Sequence, residues 1–341
     1  MDIFPAKWFG RGRNCVMVVF LLGFLATPVW GQDDAESKAI AAIQKHGGVY
    51  DRAKIPGKPI VSVRFQGKKF DDDAMRGVVP ALADLEKLGD FELENTAVTT
   101  TGLKELVKLK HLERLWLTGN TIDDAAMKEL TNIKTLSLLR LFGCPVREKG
   151  FKELSSMKSL RSLRLSSMFI GDASVREIAK TPNLEELMVY GYVGDPELKE
   201  FTNLNQLKSL VLVGSFGRKI NSKGMKQLTK LKNLQALDLA DVTDDDLGTL
   251  ASLVRLKKLR LGYAQLTDKG MKELSRFKAL RHFSLNGGSG ITDDSIRELA
   301  MLKYLEELEL RGTQISVDGF EMLRAALPKC TVNGKGTKKC E

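Results

Sequence analysis

Two acidic triplets, three histidines, four cysteines and a row of arginines set among aromatics are the residues of this chain that could do chemistry. Asp71-Asp72-Asp73 and Asp244-Asp245-Asp246 have the oxygen content of a cation site. A calcium loop alternates its ligands and closes on a bidentate Glu, and neither triplet has that order. Both open short apolar-periodic stretches, where acids complement the helix dipole, so they are expected to cap helices. His46, His111 and His282 fall in separate places, with no histidine pair on adjacent helical turns. The nucleophile elbow, the phosphate-binding glycine loop and the C-x-x-C pair are all missing from the sequence. No catalytic set, metal site or cofactor is expected, and the chain is not expected to be an enzyme.

The chemistry left is recognition, and it depends on what positions the arginines and aromatics. An L-x-x-L-x-L pattern, with apolar replacements, starts at Ile60, Leu88, Leu112, Leu136, Leu160, Leu184, Leu207, Leu234, Leu256, Leu280 and Leu305, and a last half-copy at Leu327. The spacing stays between 22 and 28 residues. Near-constant self-similarity of this kind marks a stacked repeat array, in which each unit packs only on its neighbours. The alternation in each L-x-L predicts a strand. The second half of each unit reads "VTTTGLKEL", "IDDAAMKEL" or "LTDKGMKEL". A Thr or Asp there precedes apolar residues spaced i, i+3, as at the start of a short helix. The expected fold is an α/β solenoid, with parallel strands lining the concave side and helices outside.

Residues between the strand leucines point away from the core. They form three columns, and the middle of that surface gathers Arg114, Trp116, Leu138, Arg140, Phe142, Arg164, Met188, Tyr190, Val211 and Val213. Aromatics, Met and Arg at solvent-facing positions are what protein interfaces enrich. The irregular stretch "VGSFGRKINSKGM" adds a loop beside them, with Phe216 and Arg218 as further contributors.

The unit resembles leucine-rich repeats of the ribonuclease-inhibitor-like and cysteine-containing classes, and most of all secreted bacterial proteins built from them. The resemblance covers about residues 57–333, and 34–56 is similar to the leader of those proteins. In that family the ninth position bonds the turn between repeats; here it holds Thr96, Asn120, Cys144, Ser215 and Thr313. The resemblance therefore implies that Cys144 is a buried structural thiol. Met168, Tyr192, Val242, Ala264 and Gly288 depart from the pattern. The family implies a binding scaffold without saying for what. Relatives with an F-box or an appended ligase domain carry segments for which this sequence has too few residues before and after its repeats.

Lys7, Arg11 and Arg13 precede an apolar run from Cys15 to Ala26, then small residues and a polar "QDDAES". Those are the parts of a secretory signal peptide, with cleavage expected after Gly31. The expected division is a 1–31 signal, a 32–56 capping helix and connector, the repeats over 57–333 and a basic 334–341 tail. Cys144, Cys330 and Cys340 follow the signal, too few and too odd for a disulfide framework. Export permits one bridge, and Cys330 with Cys340 could close a small loop. The net charge of +10, from 53 basic and 43 acidic residues, sits mostly in helix-like stretches such as "KELVKLK". A solvated outer face accounts for it better than nucleic acid, which is not expected as a partner. The expected role is an exported scaffold for a protein partner; an anionic envelope glycan on the arginines, or a purely structural role, is the alternative.

Overall fold

The computed structural model describes residues 32–168, 170–191, 193–213 and 220–334. The expected signal peptide, Tyr192, Ser215, Phe216, Arg218, Cys340 and nearly all of the basic tail lie outside the described residues. Thirteen strands join in chain order into one sheet. They are β1 Val49–Arg52, β2 Ile60–Gln66, β3 Asp90–Glu94, β4 Arg114–Thr118, β5 Leu138–Phe142, β6 Ser162–Ser166, β7 Glu186–Tyr190, β8 Ser209–Val213, β9 Ala236–Ala240, β10 Lys258–Ala264, β11 His282–Gly287, β12 Glu307–Arg311 and β13 Thr331–Gly334. From β2 onward every pairing is parallel and, apart from a register shift between Gly262 and Ala264 of β10 against β11, residue-for-residue in phase, so Leu115, Leu139 and Leu163 form one inward row. These leucines have no exposure, and each burial contributes about 1.5–3 kcal/mol.

One strand departs from the expected all-parallel sheet. The stretch after the capping helix, expected as a plain connector, folds back as β1, antiparallel to β2. An open sheet edge at the end of an array invites pairing with another chain, and a short hairpin strand blunts it. The helix Gln32–Lys45 closes the same end by burying Ala39 and Ile43.

On the opposite face each unit makes one or two turns of α- or 3₁₀-helix, and adjacent units are locked together there. The first residue of one helix reaches the start of the next. Asp72 accepts from the Thr99 amide (2.8 Å), the Thr99 hydroxyl (2.6 Å) and the Gly102 amide (3.0 Å). Asp124 takes the Arg147 amide, Asp195 the Asn221 amide, Asp244 the Thr267 amide and hydroxyl, and Asp293 those of Ser316. The third residue of the receiving helix must leave room. Gly102, Gly150, Gly224, Gly270 and Gly319 hold that place, and a Cβ on any of them would meet the Asp of the unit before. Where the preceding acid is Thr100 instead, the place is filled by Ala126, which is buried without conflict. Asp268 faces Ser295, whose hydroxyl donates to it, and Asp172 faces Glu197. The acidic triplets thus belong to the stacking: Asp71 caps its own helix and Asp246 bonds Thr243.

Candidate binding face

Strand alternation fixes which side chains leave the core, and the parallel register fixes their neighbours. Glu92, Trp116, Arg140, Arg164, Met188 and Val211 follow one another across β3 to β8. Thr118, Phe142, Ser166, Tyr190 and Val213 form the next column. The pairing of β8 with β9 ends at Val211 opposite Asp238, so the second column is broken where the irregular stretch follows β8.

The structure brings the expected residues together, with differences in how each is presented. Trp116, Leu138, Phe142, Met188 and Tyr190 are half-buried. The Phe142 and Tyr190 rings meet edge to face at 6.1 Å, and the Arg140 guanidinium lies 3.9 Å from the centre of the Phe142 ring. Val211 and Val213 are only 5% and 9% exposed, although they stand outside the main hydrophobic core. They therefore offer little surface of their own.

The three arginines do not form an even positive stripe. Arg114 is ion-paired with Asp90 on the preceding strand. Arg164 lies 3.6 Å from Glu186. Flanking pairs follow the same scheme: Arg64 with Glu92 at 2.7 Å, and Arg260 with Asp238 at 3.9 Å. Among the described residues Arg140 has no acidic partner, and its Nε is buried without a hydrogen bond. Burial, with Arg164 beside it, draws its pKa below the usual value.

Asp238 follows Val211 in its column, although the sequence placed it outside the binding group. Burial pushes its carboxyl up to about 7, against the opposing pull of Arg260. Its Oδ1 has no hydrogen-bond partner. The signal available was a lone acid in the apolar run "LDLA". Tyr190 is also raised, first by burial and then by Asp238. Met168 was read as a turn position, yet it is 70% exposed. With Gly143, Cys144, Pro145, Ser166, Ser167 and Tyr190 it lines a depression of about 380 Å³ at the edge of the face.

The turn ladder holds at Thr96, Asn120 and Cys144, whereas the Thr313 hydroxyl is buried without a hydrogen-bond partner. Asn120 accepts the Thr96 amide and hydroxyl at 3.0 and 2.6 Å and donates to Leu93 O at 2.9 Å. Cys144 is buried, its thiol reaching Leu117 O at 3.5 Å, and burial lifts its pKa to about 11. Val242 and Ala264 fill the same place with apolar groups. Cys330 carries a free thiol, half-buried; its suggested partner Cys340 is outside the described residues. His46 packs edge-on to Phe70, His111 is exposed, and His282 lies 3.8 Å from Glu306. Among the described residues no cluster could hold a metal ion, and no helix is long and apolar enough to cross a membrane.

Residues 79–328 match the family described as leucine-rich repeat region. No curated protein sequence matches the chain. Among solved structures it is similar to an internalin from Listeria monocytogenes str. 4b F2365, with 17% identity and a TM-score of 0.46, over 90% of this chain and 96% of that one. It is also similar to TLR13, solved as a complex with ssRNA13, with 19% identity and a TM-score of 0.50. That match covers 81% of this chain and 44% of the other, and it concerns the fold alone.

Proposed function

Because the chain belongs to the leucine-rich repeat region family, we propose that it is a binding scaffold, not an enzyme, and that it engages a protein partner through the middle of its sheet face. The observation that carries this is the cluster of Trp116, Arg140, Phe142, Met188 and Tyr190, each half-buried and facing away from the core. Aromatic and Met side chains around a guanidinium are the composition of an interface centre. Charge favours a protein over a polyanion. Asp90, Glu92, Glu186 and Asp238 accompany the arginines, so a glycan carrying a dense negative charge would meet acids on β3, β7 and β9.

Export belongs to the same proposal. Residues 1–31 have the composition of a cleaved signal, and the mature chain would begin at Gln32. N-terminal sequencing of the protein recovered outside the cytoplasm would read Gln-Asp-Asp; retention of Met1 would refute it.

The functional test is a pull-down from an envelope and secretome extract. One bait is the full chain and the other its Trp116→Ala/Tyr190→Ala variant. A protein retained by the first and lost from the second is the expected result. Equal retention by both, or an anionic glycan or RNA released by about 0.5 M salt, would replace this reading, since screening at that strength removes surface electrostatics.

A further inference from the structure

Arg140 stands in the middle of the sheet face with a guanidinium for which no described residue provides an acceptor. Among the described residues it forms no hydrogen bond and no ion pair, and its Nε is closed off from solvent. The contrast with its neighbours is sharp. Arg64, Arg114, Arg164 and Arg260 each have an acid on an adjoining strand, in the same set of columns. A buried N–H without a partner destabilises a fold, because its water has been removed and nothing replaces it. A residue that opposes stability at the middle of an apolar, outward-facing cluster has the profile of a group kept for binding.

We propose that Arg140 anchors one carboxylate of the protein partner, an Asp or Glu side chain whose apolar neighbours lie on Trp116, Met188 and Tyr190. This rests on the sheet-face reading above and adds the chemistry of what docks there. The guanidinium fork matches a carboxylate in a bidentate pair. Phe142 holds the fork from below, at 3.9 Å, so little side-chain freedom remains to be lost on binding. A single negative charge suits the site. Arg164 is already engaged with Glu186, and Glu92 and Glu94 stand on the other side, so a second or third charge on the ligand would be repelled.

The test uses phage-displayed random peptides panned against the full chain. Enriched peptides are expected to carry an Asp or Glu next to an aromatic or aliphatic residue. Their affinity should fall tenfold or more with Arg140→Gln and by a smaller factor with Arg140→Lys, which keeps charge without the fork. Arg311→Gln, on β12 and already paired with Glu309, should leave it within about twofold. Arg140→Gln should melt within a few degrees of the parent, since it loses the Phe142 stacking but no hydrogen bond or ion pair to a described residue; a larger drop would make Arg140 a structural residue and overturn the proposal. Peptides sensitive to Trp116→Ala/Tyr190→Ala but indifferent to Arg140→Gln would overturn the anchor while leaving the sheet face as the site. Peptides indifferent to all of these would overturn both. Heparin binding that depends on Arg140, with no enrichment of acidic peptides, would overturn it in favour of a polymer, and failure to enrich any peptide counts against it equally.

Discussion

A carboxyl that titrates near neutrality makes single residues of this face sensitive to conditions. Asp238 has a pKa of about 7 in the folded chain against an ordinary 3.8. The folded state therefore holds that proton more tightly than the unfolded one. Its contribution to stability is fully present below the ordinary value and is lost as pH rises towards the folded one. Denaturant titrations at about pH 5 and about pH 8 should show the parent more stable at the lower pH. The difference should shrink in Asp238→Asn, whose amide does not titrate; an undiminished difference would assign the effect to other groups. Among the described residues Arg260 and Tyr190 are the charged or titratable neighbours of Asp238, and burial moves the Tyr190 hydroxyl upward, away from that range. The columns could be read from the sequence because side chains alternate along a strand. How far each column residue is buried could not, since that depends on neighbours in other units. The valines of β8 were accordingly misjudged as surface, and the depth of Asp238 was not foreseen.

At the scale of the element, the helix starts carry the specificity of stacking. Gly150 is helical, and Ala in a helix is ordinarily favoured over Gly by about 1 kcal/mol. Here its Cβ would sit 2.7 Å from Asp124 Oδ1 and 3.0 Å from Asp124 Cα. Gly150→Ala should therefore destabilise, by about 1–3 kcal/mol as for an overpacked core. Asp124→Thr, which copies the Thr100 and Ala126 pairing, should relieve most of that in the double variant. Additive losses in a double-mutant cycle would show that the two positions do not communicate. Strand and helix halves, the Asp and Thr caps and the Cys144 burial were legible, because each follows from local periodicity or from the family's ninth position, whereas Arg147, Gly171 and Gly194 stand at helix starts without a side-chain cap. The antiparallel β1 was not legible. "VYDR" carries no pattern of its own, and it becomes a strand only because β2 has an open edge.

Across the whole molecule the units share one continuous core, so stability is a chain of nearest-neighbour terms. Leu237 is 2% exposed in the middle of that chain, and Leu237→Asp places an unpaired charge there. Loss of the cooperative melt, followed by circular dichroism, is expected; an unchanged melting temperature would mean that the strand register is wrong. The same one-dimensional logic gives the Asp-to-Gly contacts a meaning for how such a protein could lengthen. A unit inserted by gene duplication lies against its own twin, so its leading acid must tolerate its own third helix residue. The unit with Asp268 and Gly270 satisfies that condition in itself, whereas the unit with Asp124 and Ala126 sets an acid against a methyl group. Copies of the first kind could accumulate without any further change, and copies of the second would need a compensating substitution before they were inherited.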